Sequence, residues 1–187
     1  MEVSTRFAIE DDLQTLAVYE RQLACLSFPE DPILDLDYHY GKLLRALRAE
    51  PDGMVVLTLE EDVVGWLWMS TKVSLATRER YGVLRSIYVR EDLRRQGLAK
   101  SLGQYCLRYF HSRGIHRVVA KIHHENPEAA GLLKVIGFEL MHLTFEYTGP
   151  TREPGAAAAR TASAAISGEV EPDEDVEEYE PGGDEVG

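Results

Sequence analysis

Residues Arg94-Arg95-Gln96-Gly97-Leu98-Ala99 stand between a strand-like run, Gly82 to Arg90, and a helix-like run, Lys100 to Arg113. The first N–H groups of a helix have no partner within it, and together with the helix dipole they favour an anion at that end by ~0.3–1 kcal/mol. Gly97 lets the backbone approach an anion with no Cβ in the way, and the small Ala99 keeps the first helical turn close to a sheet. Arg94 and Arg95 supply charge. The chemistry this pattern suits is a grip on a diphosphate. Its spacing is neither G-x-G-x-x-G nor a P-loop ending in Gly-Lys-Ser/Thr, which argues against a nucleotide-binding Rossmann protein.

A second segment, Asn126 to Phe138, has its own logic. Asn126 suits an N-cap, Pro127 the first helical position and Glu128 the first turn; Gly137 stops the helix and Phe138 starts a strand. Taken with Arg-x-x-Gly-x-Ala, entered through Ile87-Tyr88-Val89, this Asn-x-x-Ala…Gly-Phe stretch resembles the GCN5-related N-acetyltransferases, the GNAT family, over roughly residues 4–148. The resemblance implies an α/β (α+β) fold with a mixed, mostly antiparallel central sheet splayed between strands 4 and 5 and flanked by helices. It implies acetyl-CoA as co-substrate and no metal. Arg94, Arg95, Gln96, Gly97, Leu98, Ala99 and Lys100 would hold the diphosphate. Ile87, Tyr88 and Val89 would border the pantetheine and the developing oxyanion, and Asn126 would touch the cofactor arm. Capping alone is an equal reading of Asn126.

Two departures from the family pattern bear on catalysis. Many members carry a tyrosine four residues before the Gly-Phe pair, where its hydroxyl protonates the leaving thiolate; this chain has Leu133. Water, or Tyr88, Tyr105 or Tyr109, would have to serve. Members often carry a glutamate on the fourth strand, which here reads Val83 to Val89 without an acid. The base that removes the ammonium proton then falls to His123, first by position, to Glu79 just upstream of the strand, to His124 or Glu125, or to a chain of waters.

Elements that would position these residues follow in order. Arg6 to Ile9 reads as a strand, and Asp11 or Asp12 caps a helix to about Leu26 with Leu13, Leu16, Ala17, Leu23 and Ala24 at helical spacing. Tyr38 to Glu50 reads as a second helix. The family resemblance makes this pair the roof of the acceptor pocket, so Asp31, Asp35, Asp37, Tyr38 and Tyr40 either choose the amine or form a solvated acidic loop. Met54–Leu59 and Val63–Met69 read as a hairpin, with Trp66 and Trp68 on one face lining the acceptor site or the core. Ser70 to Tyr81 reads as a connector, His116 to Ile122 as the fifth strand, and Glu139–Leu140 with Leu143–Tyr147 as a final antiparallel pair.

About 150 residues suffice for one core, so the domain is expected at 1–150 and a tail at 151–187. The tail holds eleven acids, two arginines, no lysine and an Ala-rich stretch, carrying −9 of the chain's net −12, a composition expected to stay disordered. This acidity argues against nucleic acid and anionic membrane as partners. Cys25 and Cys106 are expected as free buried thiols, and the six histidines show no metal-ligand spacing. Absence of a long apolar run or a secretory core implies a cytoplasmic protein. The expected activity is transfer of an acetyl group from acetyl-CoA to a primary amine (protein N-terminus, lysine or small amine) by direct attack, with a homodimer left open. A non-catalytic acyl-CoA sensor with the same fold is the alternative.

Overall fold

Residues 3–145 are described by a computed structural model. They form five strands, β1 (Val3–Phe7), β2 (Met54–Leu59), β3 (Asp62–Val73), β4 (Arg80–Val89) and β5 (Val118–Ala120), and four α-helices, α1 (Leu13–Ser27), α2 (Leu36–Ala49), α3 (Leu98–His111) and α4 (Pro127–Ile136). The sheet order is β1-β2-β3-β4-β5, antiparallel throughout except for the parallel pair β4·β5.

The sheet is covered on both faces, and the alternation of its side chains sorts them. Met54, Val56, Trp66, Trp68 and Tyr88 pack with Leu13, Leu16, Ala17 and Leu43 under α1 and α2. Val55, Leu57, Leu67, Met69, Leu84 and Val89 pack with Leu102, Cys106, Tyr109 and Phe110 under α3. Strand β2 is therefore apolar at every position through Leu57. Phe110 is fully buried, and its ring leaves no room on β4: a Cβ added at Gly82 would stand 2.6 Å from Cδ2.

Capping fixes the helices. Asp35 Oδ1 accepts from the N–H groups of Asp37 and Tyr38 at the start of α2, and Asn126 Oδ1 accepts from Ala129 N–H at 3.0 Å at the start of α4. Asp12 does something else. Its two oxygens take the Arg6 guanidinium at 2.7 Å each and the Ile9 N–H at 2.8 Å, pinning the β1-to-α1 turn. Burial alone would raise the Asp12 carboxyl, but these donors outweigh it and hold it below the usual carboxylate range.

Several boundaries differ from the sequence reading. The connector expected at Ser70 to Tyr81 is mostly strand, because β3 and β4 stay paired out to Val73 and Arg80 and turn only at 74–79. The fifth strand shrinks to three residues. Residues 138–145 form no strand, and Tyr147 lies outside the described residues, so the final antiparallel pair is corrected. Leu140, Met141, Leu143 and Phe145 are exposed there, so their alternation gains no burial to offset ordering. Cys25 is exposed on α1, not buried; Cys106 is buried, which pushes its thiol up to about 12. The expected tail also lies outside the described residues.

Two outcomes test this packing. Gly82→Ala should cost about 1–3 kcal/mol by overpacking against Phe110, read as a lower urea midpoint; an unchanged midpoint would refute the close approach. A carboxyl depressed in the folded state stabilises fully above its unfolded value of about 4 and less as pH falls through the folded value. The stability gap between wild type and Asp12→Asn should thus be wide at pH 6 and narrow at pH 2.5, and a pH-independent gap would contradict it.

Candidate active site

Strands β4 and β5 pair over three residues only, Gly82↔Val118, Val83↔Val119 and Leu84↔Ala120. Past Leu84 they part, and no described residue pairs with the second half of β4 on that side. At the point of parting β4 carries a bulge: Trp68 of β3 pairs with Ser86 while Met69 pairs with Leu84, leaving Arg85 as the extra residue. The bulge resets which peptides face outward. Gly82 N–H points at β5, donating to Arg117 O at 2.9 Å, whereas Arg90 N–H points at β3, donating to Val64 O at 2.8 Å. Alternation from Arg90 then turns the peptide groups of Ile87 and Val89 toward the open edge.

This edge ends at the Arg94–Lys100 loop. After a single 3-10 turn at Glu91–Leu93, Arg95 takes φ +61° and Gly97 φ +82°, two left-handed residues within three positions. Such a conformation strains a non-glycine residue by about 1–2 kcal/mol and is a motive for suspecting function at Arg95. Ser101 N–H makes the first helical bond, to Gly97 O at 3.0 Å, so the N–H groups of Leu98, Ala99 and Lys100 lie ahead of the helical ladder. A Cβ at Gly97 would meet no atom within 4 Å, so that side of the loop is open. Leu98 and Ala99 pack on the α3-side core, which holds the turn against the sheet.

The charges divide unevenly. Arg94 Nε donates to Val89 O at 3.0 Å, tying the loop to the strand end and using one of the two edge carbonyls. Arg95, Gln96 and Lys100 are exposed. Of the two acids in the preceding turn, Glu91 and Asp92, Asp92 is taken up by Arg90 at 2.7 Å, whose guanidinium holds the carboxyl below its usual range. The loop stays positive.

The other sequence-predicted residues scatter. Counting on from Leu84↔Ala120 sets His123 level with Ile87 across the gap, yet His123 Nδ1 accepts from Glu125 N–H at 3.3 Å, so the lone pair that would take a proton is engaged. His124 and Glu125 are exposed and face each other at 3.9 Å. Glu79 lies in the exposed β3–β4 turn, about eight residues and roughly 25 Å along β4 from Ile87; the structure does not bring it to the site. Tyr88 is buried under α1, stacked on Tyr19 at 4.1 Å, with its hydroxyl donating to Gln22 Oε1 at 2.5 Å. Tyr109 is about 16 Å along α3 from the loop, and burial pushes its hydroxyl up to about 12. Leu133 packs on the α3-side core and accepts Phe138 N–H through its carbonyl. Asn126 spends its carbonyl oxygen on the cap, leaving its NH2 as the donor end. Trp66 and Trp68 are core residues.

Sequence reading passed over a buried polar group. Glu20 of α1 is buried, accepting from Ser86 Oγ on β4 and from Lys42 Nζ on α2. The signal was present: Leu13, Leu16, Ala17 and residue 20 lie on one helical stripe, and an acid on an apolar stripe needs a partner inside. Among the described residues no cluster of His, Cys, Asp or Glu could hold a metal, and no helix is long and apolar enough to cross a membrane.

Known structures share this architecture. A CoA complex of the aminoglycoside N-acetyltransferase AAC(6')-Iy superposes with TM-score 0.64 at 19% identity, covering 80% of this chain and 96% of its own. A ribosomal-protein-alanine N-acetyltransferase from Brucella melitensis biovar Abortus 2308 gives 0.60 at 17%, covering 79% and 100%. A transcriptional regulator from Bacillus halodurans C-125 gives 0.63 at 16%, covering 79% and 100%. At such identities these likenesses carry the fold alone. No curated protein matches the chain. The acetyltransferase (GNAT) family model matches residues 15–138, a span that takes in most of α1, the parted strands, the Arg94–Lys100 loop and α4. By that match over most of its length, the chain belongs to the GNAT acetyltransferase family.

Proposed function

We propose that this protein transfers an acetyl group from acetyl-CoA to a primary amine by direct attack. The observation that carries the reading is the continuity of two sets of unpaired backbone donors: the open edge of β4 and the N-terminus of α3, joined by the Arg94–Lys100 loop. The loop, through Arg94, Arg95, Gln96, Gly97, Leu98, Ala99 and Lys100, grips the diphosphate. The pantetheine arm lies along the gap, adding to β4 as an extended peptide adds to a sheet edge, with Asn126 offering its NH2 from the far side. Ile87 N–H faces the thioester oxygen and stabilises the negative charge that gathers there as nitrogen attacks; one such donor is worth about 10²–10³ in rate. The C–S bond then breaks. A thiol of pKa ~8.5 is a tolerable leaving group, which fits a chain with Leu133 where a proton-donating tyrosine is usual. A protein N-terminus, a lysine or a small amine all suit this chemistry; the CoA-bound aminoglycoside enzyme and the ribosomal-protein-alanine enzyme with the same fold support an amine acceptor in general.

Acetyl-CoA should titrate into the protein by calorimetry, and Gly97→Ala should weaken it about tenfold, ~1.4 kcal/mol, beyond the ~1–2 kcal/mol of backbone strain read from unfolding. An unaltered affinity would remove Gly97 from the site. In a thiol-release assay with a panel of primary amines, at least one acceptor should release free CoA. Tight acetyl-CoA binding without thiol from any amine would favour the acyl-CoA sensor, for which Leu133 and the acid-free β4 are the supporting features.

A further inference from the structure

One acid is buried on the face of the sheet that α1 and α2 cover, directly above the point where β4 opens. Glu20 is 6% exposed; its Oε1 accepts from Ser86 Oγ at 2.5 Å and its Oε2 from Lys42 Nζ at 2.7 Å. Ser86 immediately precedes Ile87, whose N–H faces the open edge, and it follows the bulged Arg85. The charged and titratable groups around Glu20 come from every neighbouring element. Lys42 reaches it from α2, and Arg85 rises from β4. Both cations stand over the Trp68 ring of β3, at 5.3 and 5.5 Å. Tyr19, next to Glu20 in the chain, stacks on Tyr88, whose hydroxyl is bonded to Gln22. An ion pair buried at its carboxylate end alone is weak ground for stability, since apolar side chains of the same volume often do as well. Its place one residue from the reacting edge gives it another use.

We propose that Glu20, acting through the Ser86 hydroxyl, accepts the proton that the acceptor ammonium must lose; this rests on the acyl-transfer reading above. The ammonium gives a proton to Ser86 Oγ as the Ser86 hydroxyl proton passes to Glu20 Oε1. The neutral amine then forms the N–C bond, and the C–S electron pair leaves with the CoA sulfur. The second N–H proton reaches that sulfur through water, and Glu20 returns its proton to solvent. Ser86 is the group that meets the substrate. Glu20 is a positioning residue that polarises it, doing from α1 what no acid on β4 is present to do.

Glu20→Gln and Ser86→Ala are compared with the full-length wild type, using acetyl-CoA and the primary alkylamine from the panel that turns over best. At pH 7 each should lower turnover about 100-fold, with acetyl-CoA affinity within about threefold of wild type. The deficit should shrink as pH rises toward the amine's pKa of about 10.4, because a growing share of the acceptor then arrives neutral; a merely structural role leaves it constant with pH. Should Glu20→Gln fail to fold because Lys42 is left unpaired, the Glu20→Gln/Lys42→Met pair carries the same test. Turnover within about threefold of wild type, or a pH-independent deficit, overturns the proposal. A wild type that binds acetyl-CoA but acetylates no amine overturns acyl transfer itself, and the relay with it.

Discussion

The parting of β4 from β5 after three residue pairs is the constraint on which the rest depends. A strand that loses its neighbour keeps a row of N–H and C=O groups, and such groups need partners wherever water is scarce. Most sheets conceal such an edge or blunt it. Here it continues into the N-terminus of α3, a second set of donors ahead of the helical ladder. The two sets form one extended, donor-rich surface, polar where the backbone is exposed and positive where Arg95 and Lys100 stand. An extended ligand with an anionic end suits this surface better than a compact one.

Holding that surface open requires rigidity elsewhere. Both faces of the sheet are packed, by α1 and α2 on one side and by α3 on the other, so β4 is anchored through its side chains on each face beside the gap. Gly82, pressed on Phe110, lets α3 sit close beneath the last paired residues, and the bulge at Arg85 changes the outward-facing peptides just beyond them. Arg94 closes the arrangement by bonding the carbonyl of Val89. Each contact is modest, at about 1 kcal/mol for a hydrogen bond, but each removes a way for the strand end and the loop to separate.

Parts of this were legible from short stretches of sequence because their causes are local. The loop was found from glycine, arginine and alanine spacing, and α4 from Asn126, Pro127 and Gly137, since caps and left-handed stops act within one turn of chain. Strand β2 and the paired tryptophans could be read from composition. The final strand pair failed for the complementary reason: alternation in 139–147 promises a strand only where a sheet edge receives it, and residues 138–145 are not received by the three-residue β5.

The sequence by itself determined the family, the glycine-bearing loop ahead of α3 and the order of elements as far as α4, because periodicity, capping and backbone freedom are properties of neighbouring residues. Tertiary structure alone decided which polar groups meet. Glu20 and Ser86 are 66 positions apart, as are Gln22 and Tyr88, and no periodic pattern within either segment encodes the other. It also turned the His123 lone pair onto a backbone amide and left Glu79 in the turn beyond the far end of β4. Side-chain chemistry at a site depends on distances across the core, and those distances exist only after both faces of the sheet have packed.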